Sequence, residues 1–324
     1  MRRSRFLGVA SSLGPVTTEV TRDQIVAAAG RVESHIRRTP LIELGDVHGA
    51  GYDLILKLET LQRTGSFKVR GAFSLMTAAE IPEPGVVAAS GGNFGLAVAC
   101  AARDLGYRAT IFVPETSPQE KVGRIAAYGA DVRSVPGFYP EAMEAAIAWA
   151  ADTGAFQAHA YDQADVVAGQ GTCAREILED LPSLDTVLVA VGGGGLIAGI
   201  ASWIRDDGNV VAVEPELCPS LFEARRAGEP VEAGVGGIAA SALGASRVGE
   251  HAWYANRWID DSVLVTDAQI VDAQQWLWET CRIVAEPAAA TTVAALASGA
   301  YFPHRGERIV AVISGANTDP ASVA

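Results

Sequence analysis

The chain has 324 residues, of which 49% are hydrophobic, 19% charged and 7% aromatic, a balance typical of globular proteins and not of disordered or fibrous ones. Its length predicts two lobes of about 100–200 residues each, and no apolar run reaches the roughly 18–20 residues that span a bilayer, which excludes a membrane protein. The net charge of −13 opposes attraction to nucleic acid and to anionic lipid, so we expect neither as a partner.

The N-terminal residues predict a leader followed by a helix. The start, Met1 to Leu7, is similar to a twin-arginine export signal, but the apolar stretch after it is shorter than the about 7–15 residues that such a signal contains. We therefore interpret residues 1–20 as a loose leader. Thr21 to Gln24 forms a capping-box pattern that opens a helix, and the segment from Arg38 to Leu41 is expected to close it.

Strands and helices alternate along the rest of the chain. Strands are predicted at 54–58, 86–90, 109–113, 131–135, 186–191, 210–214 and 308–314, and helices at 67–80, 91–105, 119–128, 140–153 and 195–204. Such alternation predicts the α/β class, with parallel-rich sheets covered by helices on both faces. Ligands of these sheets bind beyond the carboxyl ends of the strands, so the loops that follow the strands are the candidate functional segments.

Four cysteines occur far apart in the sequence: Cys100, Cys173, Cys218 and Cys281. None forms a C-x-x-C pair, so the spacing predicts neither a zinc site nor a disulfide framework. A reducing compartment suits such a chain, and we expect a cytoplasmic location.

A glycine loop, Gly192 to Gly195, lies between an apolar strand and a helix. Glycines let backbone N–H groups approach an anion closely, and the helix N-terminus adds unpaired donors, so the loop predicts a phosphate site. Its ligand stays open at this point. The pattern Gly193-x-Gly195-x-x-Ala198 also fits a dinucleotide fingerprint, and Glu214 ends the next strand where a ribose-binding acid is expected, which keeps an NAD-dependent oxidoreductase as an alternative.

Lys68 follows a Gly-Ser turn and the aromatic residue Phe67, and it is one of only three lysines, with Lys57 and Lys121. A lysine that forms a Schiff base must lie near an aldehyde and be partly desolvated, so that its amine is neutral. For an isolated G-S-x-K pattern, an exposed helix lysine is the simpler interpretation. The choice depends on the rest of the chain.

Several segments, in order, resemble the fold-type II pyridoxal-phosphate (PLP) enzymes, and within them the serine/threonine dehydratase and serine racemase group. Residues 59–72 resemble the lysine segment of that family, residues 90–95 its S-x-G-N-H-G/A loop, and Gly192 to Leu196 its phosphate-binding glycines. Further similar segments lie at 38–41, 113–116, 168–172, 286–288 and 314–317. The resemblance covers about residues 21–318. It implies a two-lobed fold with twisted sheets, in which residues 85–158 form a small domain and residues 1–84 plus 159–324 a large PLP-binding domain, with the active site between the lobes.

The resemblance also implies roles for individual residues. Lys68 is implied as the catalytic residue, which anchors the cofactor and removes the Cα proton of the substrate. The implied cofactor-binding residues are Phe67, Lys68, Asn93, Gly192, Gly193, Gly194, Gly195, Leu196, Glu286 and Ser314. The implied substrate-binding residues are Ser90, Gly91, Gly92, Asn93 and Phe94. Asn93 is expected to donate to the 3′-oxygen of the cofactor, and the neutral hydroxyl of Ser314 to face its pyridine nitrogen, which favours loss of a β-substituent over transamination.

The sequence departs from the family pattern at three places. Gly91 stands where racemases carry a second serine, and the loss of that acid favours a dehydratase over a racemase; the stretch His159 to Asp162 favours it too. Phe94 replaces the usual histidine, which predicts a bulkier or less polar substrate than serine. The acidic residue of the cation-binding segment is missing at 235–239, so we expect no metal site.

Together these observations predict a PLP-dependent dehydratase that converts an L-β-hydroxy amino acid such as threonine or serine to a 2-oxo acid and ammonia, and that forms a homodimer by analogy with the family. An amino-acid racemase and a β-replacing synthase of the same fold are the nearer alternatives. The NAD-dependent oxidoreductase and a non-catalytic amino-acid sensor are the more distant ones.

Overall fold

The computed structural model describes residues 19–323. The predicted leader therefore lies almost wholly outside the described residues. The strands are β1 (Leu41–Asp46), β2 (Asp53–Leu58), β3 (Val86–Ala89), β4 (Ala109–Pro114), β5 (Asp131–Val135), β6 (Phe156–Gln157), β7 (Thr186–Ala190), β8 (Asn209–Pro215), β9 (Asp261–Val265) and β10 (Arg308–Ile313). The helices are α1 (Arg22–Val32), α2 (Lys68–Ala78), α3 (Asn93–Leu105), α4 (Gln119–Ala127), α5 (Tyr139–Thr153), α6 (Ala164–Asp180), α7 (Gly195–Ile204), α8 (Ser220–Ala227), α9 (Ala240–Leu243), α10 (Glu250–Ala255), α11 (Asp267–Cys281) and α12 (Pro287–Ser298).

The strands form two separate sheets. The larger has the order β1-β2-β10-β7-β8-β9 and the smaller the order β5-β4-β3-β6. Every pairing is parallel except that of β1 with β2. The central strands β7 and β10 are buried along almost their whole length, which is why they read as continuous apolar runs in the sequence.

The smaller sheet is formed by one continuous segment of the chain, β3 to β6. The larger sheet is formed by β1 and β2, which precede that segment in the sequence, and by β7 to β10, which follow it. The division into lobes at residues 85–158 remains a prediction. No helix in the described part of the chain is both long and apolar enough to span a membrane.

The first helix begins as predicted and ends earlier. The Thr21 hydroxyl accepts from the Gln24 amide at 3.3 Å, and the Thr21 amide donates to Gln24 Oε1 at 2.8 Å, so the capping box is present. Helix α1 ends at Val32, and Leu41, expected to close it, instead begins β1. Strand β1 is an antiparallel edge strand that the alternating pattern did not predict.

Helices α2, α6 and α7 pack at close range through glycines. A Cβ on Gly169 of α6 would lie 2.6 Å from the Arg70 carbonyl oxygen of α2. A Cβ on Gly199 of α7 would lie 2.5 Å from the Gly171 amide nitrogen and the Val167 carbonyl oxygen of α6. Since these neighbours are backbone atoms that cannot swing aside, the glycines set the distance between the helices and so the position of α2.

We expect Gly199→Ala to lower the free energy of unfolding by about 1–3 kcal/mol, because the added methyl overpacks the contact between α6 and α7. Gly30→Ala is the matched control: Gly30 lies in α1, and a Cβ on it would have no heavy atom within 4 Å. It should stabilise the protein by up to about 1 kcal/mol through helix propensity. Urea unfolding of both variants measures the two effects, and equal changes in the same direction would contradict the packing argument.

Candidate active site

The loops after β2 and β10 pair with each other and bring two predicted site residues together. The Phe67 amide donates to the Ser314 carbonyl at 3.1 Å, and the Ala316 amide donates to the Gly65 carbonyl at 2.8 Å. Ser314, at the end of β10, is 3% exposed. This pairing fixes the start of α2, whose first residue is Lys68, beside the end of β10.

Lys68 places its amine in a largely apolar setting. Its Nζ donates to the Ala160 carbonyl at 3.0 Å and lies 5.0 Å from the Phe67 ring centroid and 5.9 Å from that of Phe94. Burial lowers the pKa of the Lys68 amine to about 8, while the charge of Glu286 opposes the shift. A substantial neutral fraction is therefore present near pH 8, as a nucleophilic amine requires.

Asn93 and Glu286 lie together, although 193 residues separate them. Asn93 Nδ2 donates to Glu286 Oε1 at 2.7 Å, and Asn317 Nδ2 donates to Asn93 Oδ1 at 2.7 Å. Burial raises the pKa of Glu286, and the hydrogen bond from Asn93 and the charges of Lys121, Lys68 and Arg124 counter that rise. One of the two N–H hydrogens of Asn93 is engaged by Glu286, which leaves the other for a ligand.

The loop after β3 meets the N-terminus of α3, which begins at Asn93 and not at Gly91 as predicted. The Ser90 hydroxyl accepts from the Gly92 amide at 3.3 Å. The first N–H groups of a helix have no partner within it, so this end of α3 can receive an anion. A Cβ on Gly91 would lie 2.1 Å from Ser117 Oγ, so the Ser117 hydroxyl fills the space of a side chain there. Phe94 is 2% exposed.

The glycine loop turns from β7 into α7, and Gly194 has φ +88°, which favours glycine. Cβ atoms on Gly193 and Gly195 would lie 2.3 Å and 2.9 Å from Tyr161 atoms. The Ser220 hydroxyl donates to the Gly192 carbonyl at 2.6 Å, so a side chain from outside the loop fixes the orientation of this carbonyl group. The N–H groups of the first turn of α7, which includes Leu196, are then available to an anion.

This set of groups fits PLP. The aldehyde of the cofactor needs an amine with a neutral fraction, its phosphate needs backbone donors at a helix N-terminus, and its ring needs polar partners. The groups that would supply them are Lys68, the turn from Gly192 to Leu196, and the side chains of Asn93, Glu286 and Ser314.

Comparison with known proteins decides the family. A family model described as pyridoxal-phosphate dependent enzyme matches residues 32–315. The chain belongs to this family. It is 35% identical over 309 residues to an L-threonine ammonia-lyase of Thermotoga maritima, covering 93% of this chain and 76% of the relative. It is 35% identical over 311 residues to the catabolic L-threonine dehydratase TdcB of Staphylococcus aureus, covering 93% and 90%.

Solved structures agree with the sequence relatives. Maize serine racemase superposes with a TM-score of 0.88 at 30% identity, covering 94% of this chain and 95% of that one. The processed form of threonine deaminase isoform 2 from Solanum lycopersicum superposes with a TM-score of 0.85 at 30% identity, covering 94% and 93%. The predicted family, fold class and cofactor are confirmed.

Two contributors to the site were not predicted as site residues: the Ala160 carbonyl and Asn317. His159 shapes the turn that presents Ala160, because its Nδ1 accepts from the amides of Tyr161 and Asp162 at 3.4 Å and 3.0 Å. Burial lowers the pKa of His159; the charge of Asp162 opposes this shift and the charge of Lys68 adds to it. The only signal for these residues was that they lie in segments resembling the family.

Glu214, considered above as a ribose-binding acid, has a structural role. It is fully buried, and its carboxylate accepts from the amides of Leu221 and Phe222 at 2.8 Å and 2.7 Å. Burial raises the pKa of Glu214 to about 7, against these hydrogen bonds. The Glu214 carboxylate thus accepts from amides in the first turn of α8 that have no partner within the helix. Residues 19–323 contain no group of three or more His, Cys, Asp or Glu side chains arranged to hold a metal ion.

Proposed function

We propose that the protein is a PLP-dependent dehydratase that converts L-threonine, L-serine or a related L-β-hydroxy amino acid to the corresponding 2-oxo acid and ammonia. The observation that carries the proposal is the Lys68 amine, which lies among two aromatic rings and one carbonyl at the start of α2. The names of the relatives, L-threonine ammonia-lyase and L-threonine dehydratase, support the same substrate class.

Each group of residues in the site would have its own role in the reaction. Bound PLP supplies an aldehyde that takes up amino groups and a ring that withdraws electrons from Cα of the substrate. Lys68 would anchor the cofactor, release it to the incoming amine and remove the Cα proton. Ser90, Gly92 and the N-terminus of α3 would bind the substrate carboxylate. The glycine loop would hold the cofactor phosphate and the neutral Ser314 hydroxyl would face its ring nitrogen.

A racemase is the second candidate, because maize serine racemase is among the structures that superpose well. Gly91 argues against it. A racemase needs an acid on the face of Cα opposite Lys68 to return the proton, and Gly91 offers no side chain there. The hydroxyl nearest to that position belongs to Ser117, whose Oγ would lie 2.1 Å from a Cβ on Gly91, and a racemase would have to use it instead. Chiral analysis of the remaining amino acid after incubation with L-serine distinguishes the two activities.

The test is a 2-oxo acid assay on the purified holoenzyme with L-threonine, L-serine and aryl-serines. We expect 2-oxo acid and ammonia in equal amounts. The buried Phe94 ring near Lys68 Nζ favours the less polar substrates within this set. Binding of these amino acids without turnover would instead indicate a sensor, and turnover only with an added thiol or amine nucleophile would indicate a β-replacing synthase.

Loading of the cofactor should depend on pH through the Lys68 amine. With a pKa of about 8, the neutral fraction rises about tenfold per pH unit well below pH 8 and levels off above it. We therefore expect the rate at which the apoprotein gains the visible PLP band to rise about tenfold from pH 6 to pH 7 and little from pH 9 to pH 10. A rate that still rises tenfold above pH 9 would indicate an ordinary, solvated lysine.

The cytoplasmic location, the homodimer and the two domain boundaries stay predictions. Light scattering of the purified holoenzyme tests the homodimer.

A further inference from the structure

Hydrogen bonds connect the small-sheet and large-sheet parts of the chain through two asparagine side chains. Arg124 of α4 donates to Asn317 Oδ1 at 2.8 Å. Asn317 Nδ2 donates to the Thr64 carbonyl at 2.9 Å and to Asn93 Oδ1 at 2.7 Å. Asn93 Nδ2 donates to Glu286 Oε1 at 2.7 Å. We call Arg124, Asn317, Asn93 and Glu286 the amide relay.

The chemistry of its ends gives the relay one direction. A guanidinium only donates hydrogen bonds and an ionised carboxylate only accepts them, whereas an amide presents a donor or an acceptor according to its rotation. Because Arg124 faces Asn317 from α4 and the Thr64 carbonyl faces it from the other side, the oxygen of that amide must point to α4 and its NH₂ to Thr64 and Asn93. Asn93 must then turn its own oxygen to Asn317 and its NH₂ toward Glu286.

The relay also crosses between the two sheets. Arg124 and Asn93 belong to helices that pack with the small sheet, while Asn317 and Glu286 flank β10 and α12 of the large-sheet part. The contact between Arg124 and Asn317 joins residues 193 positions apart. It can therefore form only when α4 lies against the loop that follows β10.

We propose that Arg124 is a positioning residue, which fixes the direction of the amide relay and so keeps the free N–H of Asn93 turned toward the 3′-oxygen of the cofactor. The inference rests on the proposed function and on the role that the family resemblance implies for Asn93, donation to the 3′-oxygen of the cofactor. Arg124 itself does not touch the cofactor; it acts through Asn317. Its effect depends on α4 being docked, so Arg124 links the approach of the two sheets to the polarity of the cofactor site.

Charge alone is the competing explanation, because Arg124 also places a positive charge near the buried Glu286. The chain offers a matched control. Lys121 lies one turn earlier on α4, contributes a positive charge to the same carboxylate and lines the same small crevice as Arg124, Asn93 and Asn317. No hydrogen bond from Lys121 to Asn317 occurs within the described residues, so Lys121→Met removes charge without removing the donor.

The experiment titrates each apoprotein with PLP alone and records the dissociation constant and the position of the visible band. Arg124→Met should bind PLP about tenfold more weakly, the effect of one lost hydrogen bond to a charged group, and shift the band. Arg124→Lys, which restores a donor without an acceptor, should recover most of the affinity, and Lys121→Met should stay within about twofold of the wild type. Asn317→Asp keeps an acceptor for Arg124 but removes the NH₂ group that donates to Asn93 and Thr64. It should reproduce the band shift.

Unchanged affinity and band in Arg124→Met would overturn the inference. So would an equal loss in Lys121→Met, which would assign the effect to charge, or an Arg124→Lys variant no better than Arg124→Met. Unfolding midpoints of the apoproteins show that each variant is folded. No amino acid is present in these titrations, so failure of the wild type to turn over β-hydroxy amino acids would remove the proposed function and leave this result standing.

Discussion

Lys68→Ala is expected to abolish 2-oxo acid formation, with a loss of at least about 10²–10⁴-fold, while the fold is retained. About 10²–10⁴-fold is what a positioned general base contributes, and loss of the covalent anchor adds to it. The substitution leaves a small cavity among the rings of Phe67 and Phe94. The group that accepts from Lys68 is the neutral Ala160 carbonyl, and Glu286 keeps its hydrogen bond from Asn93. Steady-state assay and circular dichroism measure the two parts of the prediction.

A direct chemical test accompanies this variant. Borohydride treatment of the wild type should remove the visible band and fix the cofactor to one peptide, and the chain contains only three lysines to which it could attach. Mass mapping should find the added mass on Lys68. Its appearance on Lys57 or Lys121, or appreciable turnover by Lys68→Ala, would discredit the assignment.

Arg70→Met is expected to destabilise the protein by about 3–5 kcal/mol, the cost of removing one partner from a buried ion pair. Arg70 is fully buried two residues after Lys68. Its Nε and Nη2 donate to the two oxygens of Glu59, each at 2.7 Å, and its Nη1 donates to Glu176 Oε1 at 2.7 Å. Lys57 Nζ donates to Glu176 Oε2 at 2.6 Å.

These four side chains, Lys57, Glu59, Arg70 and Glu176, balance two positive with two negative charges. Burial opposes ionisation of Glu176, but the charges and hydrogen bonds of Arg70 and Lys57 outweigh it and lower the pKa of that carboxyl. Removing Arg70 leaves two buried carboxylates with one lysine. Because the group ties α2 to β2 and α6, its loss should also loosen the position of Lys68.

Arg108→Met provides the matched control for Arg70→Met. Arg108 pairs with Glu83 at 3.1 Å, but both side chains are at least 75% exposed, so the pair should contribute about 0–1 kcal/mol. Urea unfolding of the two apoproteins compares a buried with an exposed arginine. If Arg70→Met is no more destabilised than Arg108→Met, the network does not hold α2 in place.

Local patterns predicted much of the fold. Helix α7 was predicted over residues 195–204, and it has those bounds, because a glycine turn marks its start and an apolar run fills it. Helix α12 was missed. Its sequence is apolar almost all round, so it lacks the one-sided periodicity that identifies a surface helix.

Strand β1 was missed for a different reason. It is an edge strand with a mixture of exposed and half-buried residues, and its register shifts between Glu43 and Gly45, so no alternation survives in the sequence. Helix α11 carried a usable signal: Thr266 and Gln269 form a capping box of the same type that predicted α1.

The candidate site likewise contains residues that the sequence could indicate and contacts that it could not. Lys68, Asn93 and the glycine loop lie in short segments that resemble the family, so the sequence could indicate them as candidate residues. The contact of Arg124 with Asn317 could not, since nothing near Arg124 in the sequence specifies a partner 193 residues away. Such pairs depend on how the two sheets approach each other, which is a property of the complete fold.

The close fit of Gly91 to Ser117 Oγ restricts the mutational paths open to this enzyme. A serine introduced at position 91 alone would bring its Cβ to 2.1 Å from Ser117 Oγ and 2.8 Å from Ser117 Cβ, so the Ser117 side chain would have to move. Trimming Ser117 alone would leave a gap beside the backbone. Replacing the Ser117 hydroxyl by one carried at position 91 therefore requires both positions to change together. We expect the two sites to be epistatic, so a library that varies only one of them should not find the combination.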